Sequence, residues 1–306
     1  MTYLRGMKLR VLTPAVAAGA LVLAAVAWGA PVTLPGPDDS SQPIHLDAEG
    51  NAFFDPYQPP DTYNDDCAFG DLPGTDVDDI GFTPASDGAS DDGSSDEFDG
   101  GLILSVADRI FEDQDQTGDL VGEQLTVGPT KLKGLRVKRI ETGLPGSPTL
   151  RSLIKLKNKS KQKAKKRTLT WESDLGADGS EVVEDTSSGD AALSDSDRWL
   201  VFSDEEPIGD AVGTLVLYGK GKGVKKTQVA DPISDQNGCV KHTIRAKVPE
   251  KSSRYLLFFT EAHDDVAGSS GDADKFDSKK PGGGALDGLK RSVKKKVLNW
   301  DLVKDD

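Results

Sequence analysis

Residues 240–248 alternate without a break: Val240, His242, Ile244, Ala246 and Val248 hold one phase, and Lys241, Thr243, Arg245 and Lys247 the other. A period of two sends successive side chains to opposite faces, so this segment is a strand with one wet face and one buried face. Leu150, Ser152, Ile154 and Leu156 repeat the pattern, as do Leu102, Leu104 and Val106, Leu135 and Val137, and Leu169 and Trp171. Fuller apolar runs stand at Trp199–Phe202, Leu215–Tyr218 and Tyr255–Phe259. Gly-rich turn clusters separate them, at 143–148, 176–179 and 219–223. About nine or ten short strands without a convincing helix predict an all-β, two-sheet antiparallel sandwich, immunoglobulin-like or jelly-roll-like, over 100–266. A barrel is the alternative.

The flanks differ from this middle. Arg5, Lys8 and Arg10 precede an apolar run from Val11 to Val26, and Ala25 and Ala27 give the A-x-A spacing that a signal peptidase cuts. Residues 1–27 are therefore expected to be a signal peptide, and the mature chain to be secreted. The run is shorter than the ~20 apolar residues of a membrane span, and no second run reaches that length. Residues 28–99 are rich in Asp, Gly, Pro and Ser, and no Lys or Arg occurs between Val11 and Asp108. Such a segment repels itself and buries little, which predicts a partly disordered acidic arm. Phe53, Phe54, Tyr57, Tyr63 and Phe69 could lay it across the sandwich.

Two cysteines are present, Cys67 and Cys239. In an oxidising compartment they predict one disulfide, closing a loop worth roughly 4–5 kcal/mol in the chain-entropy treatment. The formal net charge of −14 argues for solubility and against nucleic acid as partner. Beyond the sandwich, 267–284 reads as a linker ending in Pro281 and three glycines. A C-terminal amphipathic basic helix and tail follow over 285–306: Leu286, Leu289, Val293 and Val297 share one helical face over about 286–298, with Trp300 as an anchor onto the sandwich.

Three pieces carry a resemblance. They are Asp174-Leu175-Gly176-Ala177-Asp178, then Thr186-Ser187-Ser188-Gly189-Asp190 with Asp197-Arg198-Trp199, and the ending LKRSVKKKVLNWDL; Arg151 and Asn158 sit on a strand before them. Together they resemble an uncharacterised family of secreted bacterial β-sandwich proteins, over about residues 95–306. The resemblance implies the fold and no activity.

Candidate chemistry is sparse. Asp113, Asp115, Thr117 and Asp119 place oxygens at alternate positions around Gly118, in the manner of a calcium loop. Glu123 falls one place before the usual closing carboxylate, where Gln124 stands, so an acidic hairpin loop is the plain alternative. Asp174, Asp178, Asp185, Asp190, Asp195 and Asp197 follow strand ends and either converge at one end of the sandwich or simply make turns. His242 lies on the apolar phase of its strand and reads as a satisfied core histidine. Glu261 and His263 end a strand and could hold a metal or act as a base, although such a pair is usually structural. No nucleophile elbow or zinc-protease motif occurs, and no catalytic residue is assigned.

Lysines crowd between Lys155 and Arg167. Lys159, Lys161, Lys163, Lys165 and Lys166 read as a basic hairpin tip that could hold an anionic polymer, pair with the acidic arm, or merely be solvated. The overall expectation is a secreted, monomeric, non-catalytic binding or surface-associated module for envelope or extracellular glycans. It requires no cofactor, calcium being the candidate ion. A carboxylate-based glycan hydrolase or lyase and a purely structural envelope protein are the alternatives.

Overall fold

The computed structural model describes residues 100–109, 111, 119–121, 124–144, 147, 149–161, 163–174, 181–204, 212–220, 239–263 and 266–302, together with two short strands at 32–34 and 44–46. The strands are β1 (Val32–Leu34), β2 (Ile44–Leu46), β3 (Gly100–Val106), β4 (Asp119–Val121), β5 (Gln124–Leu132), β6 (Leu135–Gly143) and β7 (Thr149–Lys157). They continue as β8 (Lys165–Asp174), β9 (Glu181–Thr186), β10 (Trp199–Asp204), β11 (Val212–Val216), β12 (Cys239–Val248) and β13 (Ser253–His263). β1 and β2 pair with each other, inside the segment read as an arm. Eleven strands form the predicted two-sheet antiparallel sandwich. Its halves are unequal: eight strands in the order β4-β5-β6-β7-β13-β11-β10-β9 face three in the order β12-β8-β3.

The alternation of 240–248 is realised as read. Val240, His242, Ile244, Ala246 and Val248 are buried, and the intervening residues of β12 are not. Their buried phase meets Leu104 and Val106 of β3, Leu169 and Trp171 of β8, and the inner side chains of the large sheet in one apolar core. Trp171 stacks on Phe258 across the sheets, with ring centroids 4.4 Å apart. Each fully buried Leu, Val or Phe in this layer contributes about 1.5–3 kcal/mol of transfer free energy, which is why two faces patterned this way adhere.

A second apolar cluster covers the outer face of the large sheet. Here the structure departs from the linker-plus-helix expectation. Helix α1 (Val266–Ala273) and a 3-10 turn at Asp274–Phe276 occupy the stretch read as a linker. Ser269, Ala273 and Phe276 are wholly buried, and the Ser269 and Thr214 hydroxyls share a hydrogen bond. Small residues let the backbone lie close to the sheet, and a reading that weights large apolar side chains passes over them.

The expected helix over 286–298 shrinks to one turn, α2 (Arg291–Lys294). Lys290, Arg291, Lys294, Lys295 and Lys296 set like charges three and four apart, which disfavours a longer helix. The sheet also competes for the backbone: Tyr255 of β13 donates its N–H to the Lys296 carbonyl at 3.0 Å and accepts the Leu298 N–H at its carbonyl at 2.9 Å. The helical spacing of Leu286, Leu289 and Val293 thus marks where a folded-back segment touches the sheet. Trp300 is buried among Phe259 and Phe276, as an anchor should be. Among the described residues no helix is long and apolar enough to cross a membrane.

Candidate functional site

The lysine run is not a hairpin tip. β7 belongs to the large sheet and β8 to the small one, so residues 158–164 cross from one layer to the other. Asn158, fully buried, pins this crossover. Its Oδ1 accepts the Ser160 N–H at 2.9 Å, and its Nδ2 donates to the carbonyls of Lys163 at 2.8 Å and Val248 at 3.2 Å. Lys159, Lys161, Lys163 and Lys166 are exposed around it, and Lys165 is half-buried. Arg167 ties the turn between β5 and β6 to the same end, donating from Nε to the Lys133 carbonyl at 2.8 Å.

Strand register then adds cations that the lysine run did not indicate. On the outer face of the large sheet Arg136 stands opposite Lys157 and Lys138 opposite Lys155, with Lys131 opposite Arg136. On the small sheet Lys166 stands opposite Lys247. Directly opposed like charges cost a few tenths of a kcal/mol each. Among the described residues none of these cations is in an ion pair, and the acids of the adjacent turns are Asp108 and Glu250. Among the described residues, one end of the sandwich is therefore strongly cationic although the chain as a whole is acidic.

The acidic set behaves as turn chemistry. Asp197, 1 % exposed, accepts from the Ser188 hydroxyl, the Ser194 N–H and the Ser194 hydroxyl, each at 2.8 Å. Burial works to raise its pKa, and these donors outweigh burial and hold it below the ordinary 3.8. Asp190 accepts the Ala192 N–H, Asp185 accepts the Thr186 N–H, and Asp195 is exposed. Asp174 ends β8, and Asp178 lies outside the described residues. The neighbouring Arg198 binds the Asp277 carboxylate, which also accepts the Trp199 indole N–H at 3.2 Å. The TSSGD and DRW pieces thus fasten the loop after β9 to the segment after α1. Arg151 does similar work, donating to the carbonyls of Ala285 and Asp287.

Of the calcium loop, Asp113, Asp115, Thr117 and Glu123 lie outside the described residues, while Asp119 opens β4 opposite Thr126. Cys239 opens β12, and Cys67 lies outside the described residues, as does the expected signal peptide.

His242 is a core histidine, but not a satisfied one. Neither ring nitrogen has a hydrogen-bond partner among the described residues. The ring stacks on Tyr218 and stands edge-on to Phe258, and burial pushes its pKa down to about 3. Nearby, Arg139 and Glu141 form a wholly buried ion pair on β6, with Arg139 also over the face of Trp171 at 5.0 Å. Burial raises the Glu141 pKa despite the guanidinium and the Ser152 hydroxyl beside it.

At the far end of β13, Glu261 and His263 share one face, and α1 and the turn after it bring Asp272 and Lys275 over them. The Lys275 ammonium lies 2.5 Å from Glu261 Oε1 and 3.5 Å from Asp272 Oδ2, and the Thr149 hydroxyl donates to Glu261 Oε1. Burial works to raise the Glu261 pKa, but His263, Lys275 and Thr149 together bring it below the usual carboxylate value. The Glu-x-His spacing pointed to this place. Asp272 and Lys275 were hidden in the supposed linker, where no spacing linked them to β13.

Neither the known protein families nor the curated proteins include a match to this chain.

Proposed function

We propose that this chain is a secreted, non-catalytic module that holds an anionic extracellular polysaccharide across the cationic end of its sandwich. The observation that carries this reading is the set of opposed cations, Arg136 with Lys157 and Lys138 with Lys155, beside the Asn158-pinned crossover. Strands stand ~4.8 Å apart and every second residue advances ~6.8 Å, so the cations form a grid and not a point charge. A grid suits a repeating anionic chain, binding it by many weak contacts that salt screens. The signal-type N-terminus and the two cysteines favour an extracellular setting in which such polymers occur. The acidic segment 28–99 would be the intramolecular competitor for the same surface.

Retention of residues 28–306 on immobilised polygalacturonate, at low and at high salt, tests the proposal. Binding at low salt that weakens steeply with salt and releases no new reducing ends is the expected result. No retention at low salt, or retention untouched by replacing Lys157, Lys159 and Lys161 with Glu, overturns it. Release of sugar fragments would instead select the hydrolase reading.

A further inference from the structure

At the other end of β13, we propose a zinc-class divalent-cation site made by Glu261 Oε2, His263 Nε2 and Asp272 Oδ2. Each of the three residues offers one ligand atom, and these atoms all lie within 4.8 Å of one another. His263 Nε2 is 3.6 Å from Glu261 Oε2 and 4.0 Å from Asp272 Oδ2. Glu261 is wholly buried, yet its Oε2 has no hydrogen-bond partner among the described residues, and neither has His263 Nε2 facing it. Buried polar atoms are nearly always partnered, and these two, 3.6 Å apart, are spaced to share one bound cation.

The donor set selects the ion. One imidazole and two carboxylates suit zinc and its neighbours, whereas calcium needs six to eight oxygens. Zinc bonds of about 2.0–2.2 Å place tetrahedral ligand atoms roughly 3.3–3.6 Å apart, so the Glu261–His263 separation already fits and Asp272 must close a little. Asp272 can move, since its side chain is 48 % exposed. Three protein ligands leave the fourth position to water on the open side.

Lys275 stands against the same carboxylates. Its ammonium neutralises Glu261 through Oε1 and reaches Asp272 Oδ2 at 3.5 Å, so it competes with the cation for Asp272. The site is independent of the cationic end: β13 runs 11 residues from Ser253 to His263, ~34 Å of strand. Failure of one proposal therefore leaves the other standing.

Calorimetric titration of residues 28–306 with zinc, and the visible d–d bands of cobalt as a probe of tetrahedral N/O ligation, test the site. One tight equivalent is expected, weakened roughly tenfold or more by His263→Gln and by Asp272→Asn. Lys275→Met is expected to tighten it. Glu261→Gln is not used alone, because it strands Lys275; Asp272→Asn, on a half-exposed side chain, decides the matter if His263→Gln fails to fold. No tight equivalent in the parent protein, or affinity unchanged in Asp272→Asn, overturns the site.

Discussion

The Asn299 carboxamide grips both backbone groups of Leu257: its Oδ1 accepts the Leu257 N–H at 2.9 Å, and its Nδ2 donates to the Leu257 carbonyl at 2.7 Å. The same Nδ2 reaches the Leu217 carbonyl at 3.0 Å. β11 stops at Val216, so one side chain continues the ladder that a strand leaves off. Asn299→Leu strands these buried groups and is expected to cost about 3 kcal/mol in urea unfolding. Asn299→Asp should be no rescue, because a carboxylate cannot donate to two carbonyls. A loss below ~1 kcal/mol in both would refute this role.

Trp300 closes over Gly219, where an added Cβ would overlap the indole ring. Gly219→Ala is therefore expected to lose roughly 1–3 kcal/mol through overpacking. The near-ultraviolet dichroism of the tryptophans should change with it. A variant of full stability with an unchanged spectrum would show that the indole shifts freely.

His242 gives the fold a defined response to acid. Its pKa falls from the ordinary 6.5 to about 3 in the folded protein, by burial. Between those values the unfolded chain binds a proton that the native state refuses, so stability drops as pH falls through the window. The difference is about 2 kcal/mol between pH 7 and pH 5. His242→Leu should flatten this slope whatever it does to absolute stability. An equal change in unfolding free energy between pH 7 and pH 5 in the parent and in His242→Leu, measured by urea unfolding, would contradict the assignment.

Asp197 acts in the same direction at lower pH. A depressed folded pKa contributes stability that is present above the ordinary 3.8 and lost as pH falls through the folded value. Removing its three closest hydrogen bonds by Asp197→Ala should cost about 2–3 kcal/mol. Proteolysis is expected to begin between 187 and 197. Cleavage elsewhere first would deny the loop its anchor.

The strand alternation was open to reading in the sequence because burial on one face leaves a period of two. β5 and β9 were not read. Gly128 and Pro129 interrupt the apolar phase of Leu125 and Val127 where the register shifts, and Glu181–Thr186 lies at the edge of its sheet with polar residues on both faces. The NWD, DRW and TSSGD pieces were visible as motifs, but their work in joining distant backbone segments was not. Nor were the opposed cations: Arg136 and Lys157 are 21 places apart, and only register makes them neighbours.

That pairing separates stability from binding. Lys157→Glu turns an opposed like-charge pair into an attractive one and is expected to stabilise the fold by roughly 0.5 kcal/mol. The same change should weaken retention on an anionic polysaccharide. Parallel loss of both, measured by urea unfolding and by retention, would show that the cations support the sheet instead of a ligand.

The fold-back of residues 296–302 has a consequence for biogenesis. Tyr255 and Leu257 acquire their last hydrogen-bond partners from a segment some 40 residues downstream, after every strand has been made. A chain emerging N-terminus first can assemble its eleven strands and still lack the latch that fixes β13 against the end of β11. Until that latch arrives, the central strand of the large sheet keeps part of an open edge, which is the interval in which a holding chaperone would have most to bind.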